Sequence, residues 1–271
     1  MFGVSRQALY QSEQRNIVRQ NELQLVKSKV QQVRTVMPRI GTRKLHYLLS
    51  KELEELGIKM GRDGLFRFLK EENMLIKRRK NYTKTTNSNH WLRKHPNLLE
   101  GLTVNKPNEL FVSDITYIKS REKTHYLSLV TDAFSRKIVG YHLSDDMSSE
   151  NVVKALKKAI KNSGNVHQTI HHSDRGVQYC SNIYQNVLKK NKMICSMTDG
   201  YDCYQNALAE RINGILKEEF LFNKCNNGYE LEKLIKESIQ IYNTKRPHLS
   251  LKMKTPEYIY KKIPAKLVSL G

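Results

Sequence analysis

The order of apolar runs between residues 106 and 221 restricts the fold of this 271-residue chain more than any other feature. Short runs typical of strands alternate with longer runs in which apolar residues have helical spacing. The strand-like runs lie in ELFVSDITYI, in two parts of HYLSLVTDAFSRKIVGYHLS, in VHQTIHHSD and in MICSMT, and the helix-like runs are SSENVVKALKKAIKNSG, SNIYQNVLKKNK and QNALAERINGILKEEFL. The order of three strands, helix, strand, helix, strand and helix predicts an α/β fold, a mixed sheet flanked by helices.

A Rossmann-like nucleotide-binding sheet is the alternative for such an order. That fold has a glycine-rich turn directly after its first strand, where the backbone approaches a phosphate. The segment after the first predicted strand is KSREK, residues 119–123, and it contains no glycine. The sequence therefore favours another kind of mixed sheet.

Two basic helical segments precede this region. Residues 1–36 are polar and basic with helical spacing, and Ser5 is suited to cap their helix. Residues 37–80 contain two short amphipathic segments, the first ending at Gly57, and are compatible with a helix-turn-helix. The positions predicted to face inward are Leu45, Leu48, Leu49, Leu53, Leu56, Leu65, Phe68, Leu69 and Met74. The basic side chains expected to contact DNA are Arg43, Lys44, Arg62 and Arg67, although a helical hairpin with solvated charges fits the pattern equally well.

The rest of the chain divides into a linker and a core. Residues 81–104 lack periodicity and are rich in Asn, Thr and Lys, which predicts a basic linker. Tyr82 and Trp91 lie between cations there, a pattern suited to gripping a nucleic-acid backbone. Residues 105–265 contain the predicted sheet and a C-terminal tail, and they form the predicted core.

The charge of the chain indicates its partner. Forty-seven Lys and Arg against 26 Asp and Glu give a formal charge of +21, which suits a polyanion such as nucleic acid. A ribosomal-type protein that binds nucleic acid without chemistry would show the same excess. No apolar run approaches 18 residues, and the start MFGVSRQALY lacks a signal-peptide core, so we expect a cytoplasmic protein with no membrane partner. The four cysteines lack metal-ligand spacing, and none precedes residue 180, which excludes an N-terminal zinc module.

Three carboxylates occupy positions that suit a catalytic site. Asp114 interrupts the first predicted strand on the side of Leu110 and Val112, and a charge in such a place needs a compensating cation. Asp174 follows the fourth predicted strand, at a carboxyl end where α/β sheets bind ligands. Glu210 lies in the last predicted helix, away from its apolar face. Taken singly, Asp174 is better explained as an Asx-turn residue, and Glu210 could be a charge on a solvated face.

Taken together, the three side chains predict a metal-dependent site. Carboxylate oxygens are hard ligands of the kind that Mg²⁺ or Mn²⁺ prefers. Three of them can hold two ions roughly 3.5–4 Å apart, which clamps the attacking and leaving oxygens of a phosphodiester. A basic protein with this set is therefore predicted to catalyse phosphoryl transfer on nucleic acid, with Asp114, Asp174 and Glu210 as metal ligands and catalytic residues.

The motifs around these residues resemble those of one family. Asp114 in FVSDITYI, Asp174 in HHSDRGVQY and Glu210 in NALAERINGILKEE, with 35 residues between the last two, resemble the D-D-E triad of insertion-sequence transposases of the OrfB type. These belong to the insertion-sequence-three family, whose core is similar to that of retroviral integrases. The tail YNTKRPHLSLKMKTPEYIY, from Tyr242, and the N-terminal FGVSRQALY and RIGTRKLHYLL also resemble the family's sequences. The resemblance covers nearly the whole chain.

The resemblance implies an RNase H-like fold, an integrase catalytic core, and the activity of a polynucleotidyl transferase. It implies cleavage at the ends of an element to expose a 3′-hydroxyl, and then attack by that hydroxyl on another phosphodiester, with two Mg²⁺ or Mn²⁺ ions per site. Lys217, two turns after Glu210, would then reach the DNA backbone, although a solvated lysine fits equally well. Asn206, one turn before Glu210, would position DNA or a ligand water, and Arg246 would bind DNA or hold the tail to the core.

The resemblance also implies partners. These are the terminal repeats of the element, the target DNA, and further copies of the chain in a homo-oligomer on DNA at the bacterial nucleoid. In this family an upstream reading frame usually supplies a further helix-turn-helix by frameshift fusion, so we expect this chain to be the downstream product. Two other functions stay open: an RNase H-like DNA nuclease without strand transfer, and a DNA-binding regulator of transposition with an inactive core, which the presence of all three carboxylates disfavours.

Overall fold

The computed structural model describes residues 5–77, 92–199 and 206–262. The chain separates into two compact units, Met1–Arg78 and Arg79–Gly271. Most of the predicted linker, including Tyr82 and Trp91, lies outside the described residues. Within the described parts of the chain, no helix is both long and apolar enough to cross a lipid bilayer.

The first unit is helical. Its described helices are Arg6–Val36 (α1), Thr42–Glu55 (α2) and Arg62–Glu71 (α3). The hydroxyl of Ser5 accepts a hydrogen bond from the amide of Ala8 at 3.2 Å, so Ser5 caps α1 as the sequence predicts. The turn after α2 contains Gly57 at a φ of +71°, a left-handed conformation that favours glycine.

The apolar spacing predicted the residues that α2 and α3 bury, which are Leu45, Leu49, Leu53, Leu65, Phe68 and Leu69. Leu48 and Met74 are only half-buried. The prediction for Leu56 is wrong, since 47% of this residue is exposed. The reason is that α2 ends at Glu55, so Leu56 no longer follows the buried face of the helix.

The described residues of the second unit form a five-stranded sheet with helices against it. The strands are Leu110–Lys119 (β1), Thr124–Asp132 (β2), Ile138–Ser144 (β3), Ile170–Ser173 (β4) and Ile194–Met197 (β5). The helices are Ser149–Ser163 (α4), Val177–Cys180 (α5), Asn182–Lys190 (α6), Ala207–Ile215 (α7), Gly228–Thr244 (α8) and Pro256–Lys262 (α9). A π turn, Leu216–Phe220, follows α7, and a 3₁₀ turn, Leu249–Leu251, precedes α9.

The sheet is mixed, as predicted. Its strand order is β3-β2-β1-β4-β5. The pairs β3–β2 and β2–β1 are antiparallel, whereas β1–β4 and β4–β5 are parallel. The helices α4 and α6 make the connections into the two parallel strands, because parallel neighbours need a crossover.

The central strand β1 is covered on both faces. Phe111 belongs to a buried cluster that also contains side chains of α4 and α6, and Ile115 packs against it. Leu110 and Val112 point to the opposite face, where they cluster with Ala209 of α7. Strand alternation puts Asp114 on this second face, the one covered by α7.

Two elements differ from the sequence prediction. The fourth strand begins at Ile170, not at Val166, because the chain turns at Gln168, which has a φ of +62°. The last predicted helix is α-helical only to Ile215 and then widens into the π turn. Its buried face also differs, since Ala209 is buried where Leu208 was expected.

The tail returns to the edge of the sheet. Asn243, near the end of α8, accepts a hydrogen bond from the amide of Ile138 at 3.0 Å and donates one to its carbonyl at 3.0 Å. The side chain therefore pairs with β3 as a neighbouring strand would. The neighbouring Tyr242 is buried and donates from its hydroxyl to the carbonyl of Arg136 at 3.0 Å. The Tyr-Asn pair of the tail is thus a structural anchor.

Candidate catalytic site

Asp114 on β1 and Asp174, which directly follows β4, lie close to each other because these two strands are parallel neighbours. The register of β1 and β4 pairs Leu110 with Ile170 and, two positions later, Val112 with His172. Each aspartate follows the last of these pairs by two residues, so both lie at the same level of the sheet and on the same face. The sequence placed Asp114 within the first strand and Asp174 just beyond the fourth, and the parallel pairing of these two strands brings the aspartates together.

The carboxylate of Asp114 is bound on both oxygens. Oδ1 accepts a hydrogen bond from the amide of Ile115 at 2.9 Å, and Oδ2 accepts one from Nδ2 of Asn213 at 2.7 Å. Burial, followed by the charge of Asp174, raises the pKa of Asp114 to about 7, with a smaller contribution from Glu210 and opposed by the two hydrogen bonds. Asp114 keeps partial access to solvent, so a cation could reach it and favour the ionised form.

Asp174 forms the Asx turn that its sequence context allowed. Its Oδ1 accepts a hydrogen bond from the amide of Gly176 at 3.0 Å. A Cβ at position 176 would lie only 3.0 Å from this oxygen, so the carboxylate would have to move to admit one. The turn and a catalytic role are compatible, since the turn fixes the direction of the Asp174 carboxylate beside Asp114.

Helix α7 docks on β1 through two asparagines on either side of Glu210. Asn206 donates from Nδ2 to the carbonyl of Ser113 at 3.2 Å, and Asn213 donates to Asp114. Glu210 lies between them on the same helix and is exposed. Its effect on the pKa of Asp114 is smaller than that of Asp174. The structure thus brings all three predicted carboxylates into electrostatic contact, with Asp114 at the centre.

The oxygen donors at this site are of the chemical kind that a hard divalent cation prefers. They do not form a complete metal site, because in residues 5–77, 92–199 and 206–262 no group of three His, Cys, Asp or Glu side chains is placed to hold a metal ion. The buried oxygens Oδ1 of Asn206 and Oδ1 of Asn213 have no hydrogen-bond partner among the described residues. Such oxygens need a partner, and a cation or its bound water would provide one beside the carboxylates.

Lys217 also lies close to this centre. It is half-buried in the π turn that follows α7. Burial lowers the pKa of Lys217, while the carboxylate of Asp114 raises it, so the ammonium group lies within electrostatic reach of Asp114. Contact between Lys217 and DNA stays a prediction.

The prediction that Arg246 contacts DNA needs correction. Arg246 is 1% exposed. Its guanidinium donates to both carboxylate oxygens of Glu219, at 2.7 and 2.6 Å, and to Nε2 of His248 at 2.9 Å. Its donors therefore face protein groups, and its position supports the other expectation, that it holds the tail to the core.

The two histidines before Asp174 are buried as well. Nε2 of His171 lies 2.8 Å from Oγ of Ser113 and 2.8 Å from the hydroxyl of Tyr184. Burial lowers the pKa of His171 to about 3, which keeps the ring neutral. His172 lies 2.9 Å from Oγ of Ser196 through Nδ1. These two buried rings connect β1, β4 and β5, and they are not exposed for contact with DNA.

The DNA contacts predicted for the first unit lie on its surface. Arg43 and Arg67 are exposed, and Lys44 is half-buried in the first turn of α2. Arg62 is exposed and forms an ion pair with the adjacent Asp63 at 2.8 Å. Contact between these side chains and DNA stays a prediction.

Sequence reasoning assigned no role to two residues that define the site. Asn213 could have been found, since it lies three positions after Glu210 and therefore on a neighbouring helical position. No such signal pointed to Glu219. It lies nine residues after Glu210, and a regular α-helix would therefore put it on the opposite side.

Comparisons with known proteins agree with this geometry. Residues 104–203 match a family model described as integrase core domain, and residues 191–256 match a second model with the same description. The chain is 37% identical over 257 residues to the 31 kDa protein of insertion element IS600 from Shigella sonnei, over 93% of each chain. It is 31% identical over 172 residues to transposase InsF of insertion sequence IS3A from Escherichia coli K12, over 63% of this chain and 60% of that one.

A solved structure gives the same fold. A chain of the simian T-cell lymphotropic virus intasome, in complex with PP2A regulatory subunit B56 gamma, superposes with a TM-score of 0.51. It is 18% identical and the match covers 83% of this chain and 76% of that chain. The predicted integrase-core fold is thereby confirmed.

Proposed function

The chain belongs to the insertion-sequence-three family of transposases, polynucleotidyl transferases with an integrase core, and from this premise we propose which chemistry it performs and with which residues. We propose that it cleaves DNA at the ends of its element and joins the exposed 3′-hydroxyl to target DNA. The observation that supports this proposal is the closeness of Asp114 on β1 to Asp174 just after β4, with Glu210 on α7 within electrostatic reach of Asp114.

We propose that Asp114, Asp174 and Glu210 hold Mg²⁺ or Mn²⁺, two ions in each site. When bound, such ions make water or a 3′-hydroxyl a better nucleophile and offset the charge that develops on the phosphate. The raised pKa of Asp114 supports this assignment, because burial and the nearby charge of Asp174 disfavour its ionised form unless a cation is bound. No protein nucleophile is required.

The neighbouring side chains would orient the reactants. Asn213 holds Oδ2 of Asp114, so it fixes the direction of the carboxylate towards its ligand. Asn206 has a buried oxygen that would bind DNA or a ligand water. Lys217 would contact a DNA phosphate beside the reacting bond, where its positive charge stabilises the transition state.

DNA would be the main partner of both units. The first unit would bind the terminal repeats through its basic side chains, which are Arg43, Lys44, Arg62 and Arg67. We also propose that the chain acts as a homo-oligomer on DNA, at the bacterial nucleoid, with the helix-turn-helix protein of an upstream frame as a further partner. The formal charge of +21 supports a polyanionic partner.

The proposal is tested with a duplex that carries one terminal repeat of the element and ends in a free 3′-hydroxyl. The chain, alone and fused to the upstream-frame protein, is incubated with this duplex, a target plasmid and Mg²⁺. We expect joined products from the parent and none from Asp174→Asn, which should also lose metal binding in calorimetry. Glu150→Gln, an exposed acid on α4, is the matched control and should join DNA normally.

Other outcomes would assign another function. Hydrolysis at the repeat without joined product would support a nuclease. Binding of the duplex with neither reaction would support a regulator. Unchanged joining and unchanged metal affinity in Asp174→Asn would remove Asp174 from the site.

A further inference from the structure

The helix that carries Glu210 ends in an unusual way. After Ile215 it widens into the π turn, in which the amide of Leu221 donates to the carbonyl of Leu216 at 2.9 Å. Such turns are rare, and inside helices they are often found at functional sites. The contacts that hold this turn therefore bear on the site beside it.

The turn has a buried side and a side that faces the catalytic centre. Leu216 and Phe220 are buried at 1% and 5% exposure. Lys217 is half-buried and within electrostatic reach of Asp114. Glu219 follows Lys217 by two residues, and helical residues two apart point in roughly opposite directions. One side chain of the turn thus faces the centre, while the other faces away from it.

A residue of the C-terminal tail binds Glu219 on the side of the π turn that faces away from the catalytic centre. The guanidinium of Arg246 donates to Oε2 and Oε1 of Glu219 at 2.7 and 2.6 Å, a bidentate pair. The side chain of Arg246 is 2% exposed and that of Glu219 is 17% exposed, so water screens the pair little. We call Glu219 and Arg246 the tail clamp.

The clamp is itself positioned by the tail. The third donor of Arg246 bonds Nε2 of His248 at 2.9 Å, and because arginine can only donate, Nε2 must accept. The ring of His248 packs edge-on against Tyr242, with 5.0 Å between centroids. The backbone of His248 pairs with Lys254. These contacts fix the position of the Arg246 guanidinium next to the carboxylate of Glu219.

A buried ion pair is a costly way to gain stability. Desolvation of two charges offsets most of their attraction, and apolar side chains of similar volume often stabilise a fold as well or better. What a bidentate pair provides is a fixed geometry. The geometry fixed here is that of the turn that carries Lys217.

We propose that Glu219 and Arg246 are positioning residues that hold the π turn so that Lys217 meets the DNA phosphate at the catalytic centre. This inference rests on the proposed function, in which Lys217 contacts the reacting DNA. The tail motif Lys-Arg-Pro-His, which lies outside the carboxylate motifs, thereby becomes part of the apparatus for strand transfer. Neither clamp residue touches the DNA or the reacting atoms.

A double-mutant cycle tests this role with the full chain, the terminal-repeat duplex and Mg²⁺. The variants are Glu219→Gln, Lys217→Ala and the two combined, and the joining rate of each is measured at saturating duplex. We expect Glu219→Gln and Lys217→Ala each to lower joining by a factor on the order of 10 to 100, as misplaced catalytic groups do. In the Lys217→Ala background, Glu219→Gln should have no further effect, because the clamp acts through Lys217.

Controls separate positioning from folding. Glu218→Gln changes an exposed neighbour in the same turn and should leave joining unchanged. The melting temperature and the affinity for the duplex are measured for every variant. If Glu219→Gln is too unstable to assay, the exchange Glu219→Arg with Arg246→Glu restores a pair of opposite charges, and it should recover joining relative to Arg246→Glu alone.

The outcomes distinguish this inference from the proposed function. If Glu219→Gln lowers the joining rate by the same factor in the parent and in the Lys217→Ala variant, Glu219 has a general structural role and the inference is overturned. Full joining by Lys217→Ala would also overturn it, because the clamp would then have nothing to position. Neither result touches the carboxylate assignment, which fails only if Asp174→Asn or Glu210→Gln joins DNA normally.

Discussion

Asn213 on α7 donates a hydrogen bond from Nδ2 to Oδ2 of Asp114 on β1 at 2.7 Å, across 99 positions of sequence. The bond connects the helix that carries Glu210 to the strand that carries the central carboxylate. It also lowers the pKa of Asp114, against the larger effect of burial. Asn213 therefore contributes both to the orientation of Asp114 and to the docking of α7.

Replacement of this side chain should weaken catalysis more than folding. In Asn213→Ala, Asp114 loses a hydrogen bond to its charged form, so its pKa should rise further above 7 and the metal site should be harder to form. We expect the joining rate near neutral pH to fall roughly 10- to 100-fold, the usual effect of losing a bond to a charged group. Asn186→Ala, at an exposed position of α6, is the matched control. Equal joining rates for the parent and Asn213→Ala between pH 6 and 8 would contradict this reading.

Glu210→Gln should separate catalysis from binding. Glu210 is exposed on α7, away from the buried Ile212 and Ile215, so loss of its charge should leave the melting temperature within about 1 °C. Cleavage and joining should both collapse, because both steps would use the same carboxylate. Glu218→Gln, also exposed and eight residues further on, should remain active. The triad would be misplaced if Glu218→Gln abolished joining while Glu210→Gln did not.

The stability of the metal-free protein should depend on the ionisation of Asp114. Its pKa in the fold, about 7, is above the ordinary 3.8, so the neutral form is favoured by folding. The resulting stabilisation is complete below about pH 4 and is lost as the pH rises through 7. At about 1.4 kcal/mol for each pKa unit, the loss is on the order of a few kcal/mol.

Denaturant unfolding from pH 4 to 8 measures this effect. The parent should lose stability relative to Asp114→Asn, which has no charge to bury, and Mg²⁺ should restore the parent at pH 8 because the ion replaces the proton. The difference between the two proteins isolates Asp114 from the histidines, which titrate in both. If the free energies of unfolding of the parent and of Asp114→Asn changed by the same amount between pH 4 and 8, the raised pKa of Asp114 would be contradicted.

The first unit should bind DNA through its surface charges. Residues 1–78 form a compact unit, and we expect this fragment to bind duplex DNA with an affinity that falls steeply with salt, since each neutralised phosphate releases counterions. Replacement of Arg43 and Arg67 by Gln should reduce the slope of log affinity against log salt by about two. Lys51→Gln, which removes a charge already paired with Glu55, should reduce it less. A fragment that does not bind DNA at low salt would reduce this unit to a structural role.

The sequence by itself determined the order of strands and helices, and it placed Asp114 within the first strand and Asp174 just after the fourth. Apolar periodicity reports which side of each element is buried, and that is a local property. Asp114 was conspicuous because a charge within an apolar strand is costly, and Asp174 because it follows a strand that ends in a turn. The number of residues between Asp174 and Glu210 then indicated the resemblance to a transposase family.

Only the tertiary structure decided which polar side chains support that site. The contact of Asn213 with Asp114 and the π turn at Leu216–Phe220 depend on how α7 packs against β1. For Arg246, in a tail rich in cations, the sequence left two expectations open, contact with DNA or attachment of the tail to the core. Arg246 is buried because folding brings Glu219, 27 positions away, against its guanidinium, and local spacing cannot reveal a partner at that distance in sequence.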